Sequence, residues 1–207
     1  MSKYSRWPVI ALGTAICWAM VATAPAQQPA PAKSEVAQLI EKALASDIRS
    51  SEERARDVKE RKPVQTLEFF GLKPDMRVVE LFPGAGWYTK VLGPVLADKG
   101  KLYIALGTTR LAPQLAGWKL DKVEAIDAKV DLKPTPQNGI FDSAVVQIPA
   151  KDIDMVLTFR NYHNMTPETR VLLHREIFRM LRPGGIYGIV DHTRRHNEPP
   201  NSEIWRR

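Results

Sequence analysis

At 207 residues, with 44% hydrophobic and 26% charged residues, the chain is long enough for one domain with a sizeable core and too apolar for disorder. Its formal charge of +7 gathers in Arg54 to Lys62 and in Arg194, Arg195, Arg206 and Arg207. No aromatic residues interleave these runs as in a single-stranded nucleic-acid site, so solvated faces and phosphate or carboxylate contacts are expected, and nucleic acid is not.

Lys3 and Arg6 precede an apolar run from Trp7 to Ala22, and Ala24-Pro25-Ala26 then offers small residues for cleavage. The run of about 16 residues is shorter than the roughly 20 of a spanning helix. Proline is a poor residue just after a cut, so the pattern predicts a signal peptide over residues 1–26, cleaved after Ala26. Export to the periplasm or beyond follows, with no stable membrane anchor left. The lone Cys17 would leave with the signal, which fits an oxidising compartment. Residues 27–33, rich in Gln, Pro and Ala, read as a flexible spacer, and a single domain is expected over 34–207 with a helical flank at 34–62.

Ser34 is a plausible N-cap for a helix carrying Val36, Leu39, Ile40, Ala43 and Leu44 at helical spacing. Ser51 to Arg61 predicts a second, charged helix with Ala55 and Val58 inward, a lid or flank on the sheet. From Arg77 strand and helix alternate: strand 77–81, helix from about Trp87 to Leu96, strand 101–106, and a weak strand 123–126. The section Leu132 to Ile148 then reads as loop with one short strand at most. Met155 to Phe159, nearly all apolar, predicts a strand buried on both faces. Thr166-Pro167-Glu168 opens a helix whose inner face carries Leu173, Ile177, Met180 and Leu181; Pro183-Gly184-Gly185 ends it, and Ile186 to Val190 returns as a strand. This order specifies an α/β, Rossmann-like, mostly parallel sheet with flanking helices and ligands at the carboxyl ends of its strands.

Val78-Val79-Glu80-Leu81-Phe82-Pro83-Gly84-Ala85-Gly86-Trp87-Tyr88-Thr89 is the most informative stretch: an apolar strand ends in an acid and turns through glycines into a helix. Such turns aim backbone N–H groups outward and let a ligand approach the main chain without a Cβ in the way. With Arg61-Lys62-Pro63, the run Leu67 to Met76, Leu157 to Asn164, and Leu181-Arg182-Pro183-Gly184-Gly185 before Ile186 to His192, the chain resembles the class I S-adenosylmethionine-dependent methyltransferases. It is most similar to a group of predicted bacterial methyltransferases with signal peptides, over roughly Ser50 to Arg195. The resemblance implies that S-adenosylmethionine lies on Glu80, Phe82, Gly84, Ala85 and Gly86, and that Arg54, Asp57 and Arg61 lie near the cleft; a salt-bridged surface helix is the other reading of those three. Glu80 also reads as a strand-end carboxylate that organises the loop.

Two departures stand out. Phe82 occupies the first glycine of the family's Gly-x-Gly-x-Gly pattern. The end of the second strand, Ala105-Leu106-Gly107-Thr108, lacks the acid that usually takes the ribose hydroxyls, leaving Thr108, Thr109, backbone or Asp127. Arg160-Asn161-Tyr162-His163-Asn164 follows the central strand, where the loop would face the methyl acceptor. Asn161 and Tyr162 are candidates for positioning an acceptor or the adenine, and Tyr162 and His163 are expected to share a cleft with Gly84. His163 is a candidate general base or a hydrogen-bonded loop histidine. Asp191-His192 is a second candidate pair or a strand-end contact.

No metal is expected: His192 and His196 are four apart, but arginines and prolines around them argue against a helical site. The acceptor, a small molecule or other, is open, and the alternative function is a non-catalytic binding module that keeps the fold. Sixteen residues follow Asp191, too few for the helix and strand pair that usually complete a seven-strand sheet. A five-strand core is therefore expected, with Ile186 to Val190 at an edge, Trp205 near the gap, and low stability or a homodimer as the consequence.

Overall fold

The computed structural model describes residues 32–192, with the side chain of Val58 left aside. The predicted signal peptide, most of the spacer, His196 and Trp205 lie outside them. Among the described residues no helix is long and apolar enough to cross a membrane.

Ser34 caps α1 (Glu35–Leu44) by accepting the Ala37 N–H, and the helical spacing buries Val36, Ala37, Ile40 and Ala43. α2 (Ser51–Arg56) opens on a capping box in which Ser50 and Glu53 satisfy each other's backbone N–H. It does not run on as one helix to Arg61. At Asp57 it widens into a π turn, Asp57–Arg61, and Lys62 closes it in the left-handed region (φ 42°) ahead of Pro63. Pro63, lacking an N–H, then takes the first turn of α3 (Pro63–Phe69), a helix the sequence pattern did not bring out. Ala55, expected inward, is exposed, because α2 turns no face to the core.

β1 (Arg77–Leu81) leads through a turn to α4 (Thr89–Leu96) and β2 (Lys101–Ala105), and β3 (Glu124–Ala125) is shorter than its apolar run predicts. Two small antiparallel pairs follow: β4 (Lys129–Val130) and β5 (Lys133–Pro134), returned by β6 (Phe141–Asp142) and β7 (Val146–Gln147), so that β4 meets β7 and β5 meets β6. The section expected to be mostly loop is thus a narrow double ribbon. β8 (Ile153–Phe159), α5 (Pro167–Met180) and β9 (Leu181–Val190) complete the described residues. Thr166 caps α5 as its sequence predicts. The helix ends at Met180, before Pro183; Leu181 already pairs with Ile153, and the register skips before Met155 meets Ile186. Arg182 to Gly185 are the slack that skip contains.

The main sheet runs β3-β2-β1-β8-β9, and every neighbouring pair is parallel. Alternate side chains separate its faces. Val78, Met155, Leu157 and Phe159 pack with α1, α3 and α4, whereas Val79, Leu81 and Val156 pack with Leu173, Ile177 and Met180 of α5. This is the α/β Rossmann-like sandwich that the alternation predicts, with five strands among the described residues. Among the described residues β9 pairs only with β8 and forms the expected edge, where Ile186 and Ile189 stay 37% and 38% exposed.

Candidate functional site

Three neighbouring strands leave the sheet in the same way. Phe82 after β1, Leu106 after β2 and Arg160 after β8 have φ of 52°, 63° and 62°. A left-handed conformation costs a non-glycine residue about 1–2 kcal/mol, and such costs cluster where the backbone serves a site. Phe82 therefore takes a backbone shape that favours glycine. Its N–H still bonds Ala105 O at 2.9 Å, so the chain turns away only after one more rung of the ladder. The order of strands reverses between β1 and β8, and the diverging strand ends leave a crevice there.

That crevice is a cleft of about 540 Å³. Glu80, Phe82, Pro83, Gly84 and Ala85 form its β1 side, and Phe159 and Asn161 its β8 side. Trp87, Tyr88 and Lys90 enter from the start of α4, Gln114 and Trp118 from beyond β2, and Ser50, Glu53, Arg56 and Arg61 from the helical flank. Tyr88 stacks on Phe159, with ring centres 3.4 Å apart, and the guanidinium groups of Arg49 and Arg61 lie over Trp87 at 4.8 and 4.6 Å. The flank is pinned to the cleft. Lys90 Nζ reaches Glu53 at 2.9 Å, Trp87 Nε1 donates to Glu53 O at 3.3 Å, and the buried Arg49 holds Asp57 through two bonds of 2.7 Å.

Glu80 is buried at the base of the turn and accepts the Thr89 hydroxyl at 2.6 Å. Burial raises its pKa to about 8, against the lowering effects of that hydroxyl and of Arg61. Burial likewise raises the Tyr88 hydroxyl to about 12. Arg61 is pulled below its ordinary value by burial, and its Nε has no hydrogen-bond partner among the described residues.

The two glycines of the turn differ. Gly84 (φ 59°) lines the cleft, and a Cβ there would meet nothing within 4 Å. At Gly86 (φ 81°) a Cβ would lie 2.8 Å from Leu111 and 2.9 Å from Trp118; this glycine lets the next segment pack.

Of the residues that the sequence singles out, Glu80, Phe82, Gly84, Ala85 and Asn161 meet in the cleft. Asn161 donates to Phe82 O at 3.1 Å and to Phe159 O at 2.9 Å, tying the two strand ends together. Thr108 does not join its lining; its carbonyl takes the N–H groups of Leu111 and Ala112. Tyr162 and His163 do not line the cleft with Gly84; they follow Asn161 in a 3₁₀ turn, Tyr162–Asn164. Tyr162 stacks on His174 at 5.5 Å, and His163 lines a second cavity of about 560 Å³ with Thr135, Gln137, Met165 and Arg170. Of the flank residues, Arg61 lines the cleft, Asp57 is spent on Arg49, and Arg54 bonds Ser46 O and faces Asp47. Lys90, Gln114 and Trp118 carry no local motif, and only tertiary packing brings them in. Among the described residues, no three His, Cys, Asp or Glu side chains group as a metal site.

No protein family and no curated protein matches the chain. Solved structures similar to it include a SAM dependent methyltransferase from Aquifex aeolicus, 22% identical, covering 74% of this chain and 79% of that one with a TM-score of 0.48. A DhpI-SAM-HEP complex is 16% identical over 80% of this chain and 70% of that one, with a TM-score of 0.47. A SAM-dependent O-methyltransferase from Thermotoga maritima is 17% identical over 72% and 48%, at 0.42. These overlaps are partial, and the fold rests on the sheet order and strand register given above.

Proposed function

We propose that the cleft between β1 and β8 holds S-adenosylmethionine and that the chain is a methyltransferase, exported by its first 26 residues. The observation that carries the reading is Gly84: a left-handed glycine with nothing within 4 Å of its Cβ position lines the cleft at the point where the order of strands reverses. The lining suits the ligand. Arg61 brings an unmade guanidinium hydrogen bond for a carboxylate, Glu80 a buried acid, and Tyr88, Trp87 and Trp118 aromatic walls. When bound, a sulfonium supplies an electrophilic methyl group. Holding donor and acceptor in line and excluding water is then the main task of the protein.

A second reading, a binding module without catalysis, is favoured by the end of β2. No carboxylate stands there, and Thr108 is turned to the following segment. Gln114 is the polar residue beyond β2 that does line the cleft.

Calorimetry with S-adenosylhomocysteine on the chain without residues 1–26 tests the donor site. Wild type should bind, and Gly84→Ala should weaken binding by about tenfold or more, the equivalent of roughly 1.4 kcal/mol. Arg61→Gln should also weaken it. A wild-type chain that ignores the ligand at high micromolar concentration removes the reading. Export is checked separately by the intact mass of protein recovered from the native host, which should begin after Ala26.

A further inference from the structure

We propose that the cavity beside His163 seats the methyl acceptor, a small hydroxy acid, with His163 as its general base and Arg170 as the group that fixes its acid; this rests on the donor reading above. At about 560 Å³ the cavity lies within the roughly 300–1,000 Å³ of small-molecule sites. Pro136, Ile140, Met165 and Pro167 give it apolar walls for a hydrocarbon body.

One carboxylate orients the base. Asp191 Oδ2 accepts the His163 backbone N–H at 2.9 Å, and Asp191 Oδ1 accepts the ring Nδ1–H at 2.6 Å. With Nδ1 engaged by Asp191, Nε2 is the ring nitrogen left over, and among the described residues it has no hydrogen-bond partner. The neighbouring His192 is engaged differently. Its Nε2 accepts from Arg160 Nε at 3.0 Å, and burial and that guanidinium lower its proton affinity. His163 is therefore the histidine of this pair whose Nε2 is open to an acceptor.

Arg170 lies in the first turn of α5, its guanidinium carbon 4.7 Å over the Tyr162 ring. Among the described residues its guanidinium makes no hydrogen bond or ion pair, and the Nε is buried without a partner. Buried donors are ordinarily satisfied, and a planar guanidinium matches a carboxylate with two parallel bonds. The position also connects to the donor. A small cavity of about 100 Å³ shares Phe82 and Asn161 with the cleft and Met165 with the His163 cavity, so the three follow one another along the strand ends.

In the transfer, His163 Nε2 takes the hydroxyl proton of the acceptor. The electron pair of the acceptor oxygen forms the new O–C bond as the C–S bond breaks with its pair left on sulfur, giving a neutral thioether. The imidazolium that results is paired with Asp191.

Binding and turnover test this separately. 4-Hydroxybenzoate, added without donor, should shift the nuclear magnetic resonance signals of His163 and of the Arg170 guanidinium, whereas phenol should not. Arg170→Gln should weaken that binding by about tenfold or more. With labelled donor and a panel of 4-hydroxybenzoate, salicylate, glycolate and 3-hydroxybutyrate, the best acid should be methylated ahead of its neutral counterpart. On it, His163→Gln should lower kcat by about 100-fold or more with KM and S-adenosylhomocysteine affinity kept. Asp191→Asn should lower kcat in the same manner, and Asp191→Glu should restore part of it, as expected of a positioning residue. Retained S-adenosylhomocysteine affinity also shows that each variant is folded. Phenol methylated as fast as 4-hydroxybenzoate, or a panel that neither shifts His163 nor accepts a methyl group while S-adenosylhomocysteine binds, overturns the proposal and leaves the donor reading intact. Binding of 4-hydroxybenzoate at His163 by a chain that ignores S-adenosylhomocysteine overturns the general-base role and the donor reading together.

Discussion

The cleft at Gly84 and the cavity at His163 border the same row of strand ends, yet they are built in opposite ways. The cleft is framed by backbone: three left-handed strand exits, a glycine with an open Cβ direction, and a turn one residue away from an apolar strand. The cavity is framed by side chains reaching between distant segments. Asp142 accepts the hydroxyls of Thr166 and Thr169 to hold the ribbon against α5, and Asp191 holds His163. Backbone framing is tolerant of what the side chains are, which is how Phe82 holds a left-handed conformation that favours glycine. Side-chain framing depends on each pair.

The sharpest way to break this comparison lies within the glycine turn itself. Gly86→Val should destabilise the fold by about 3 kcal/mol, from a left-handed conformation and from overpacking against Leu111 and Trp118. Gly84→Ala should cost only the conformational part of this, about 1–2 kcal/mol. Denaturant unfolding of both proteins decides it, and equal losses would mean that the two glycines serve the same purpose.

Where α5 meets the end of the ribbon, Glu176→Ala removes the acceptor of the Ile148 N–H at 2.7 Å and the partner of Arg179. A loss of about 1–3 kcal/mol is expected, since the Ile148 amide stays buried without a bond. Calorimetric melting measures it, and an unchanged transition would show that the ribbon is held by packing alone.

The effect that depends on pH concerns Glu80. Its pKa in the folded chain, raised to about 8, lies above the ordinary 4.5, so the folded state binds more protons than the unfolded state between those values. Its contribution is fully present below pH 4.5 and is lost as pH rises through about 8. A single group supplies a slope of at most about 1.4 kcal/mol per pH unit. Glu80→Gln keeps an acceptor for Thr89 and should flatten the decline in melting temperature between pH 6 and 8; an identical decline in both proteins would place the titrating group elsewhere.

The central strands, α1 and α5, and the turn at Gly84 were legible in the amino-acid sequence. Each depends on local signals: continuous apolar runs in Val78 to Leu81 and Met155 to Phe159, the caps Ser34 and Thr166, and glycines beside an acid. Those signals act over a few residues, where hydrophobic period and backbone sterics outweigh all else. The break of the second helix at Asp57, the helix at Pro63, the double ribbon between β3 and β8, and the separation of His163 from Gly84 were decided by tertiary structure. In each, the deciding contact joins segments far apart in the chain: Glu53 with Lys90, Asp142 with Thr169, Asp191 with His163. Two-residue strands bury too little to leave a period in the sequence, and an ion pair or hydrogen bond formed only in the folded chain leaves no pattern around either partner. The sequence by itself therefore determined where the chain turns through glycines at a strand end, whereas only the folded chain decided which side chains surround that turn.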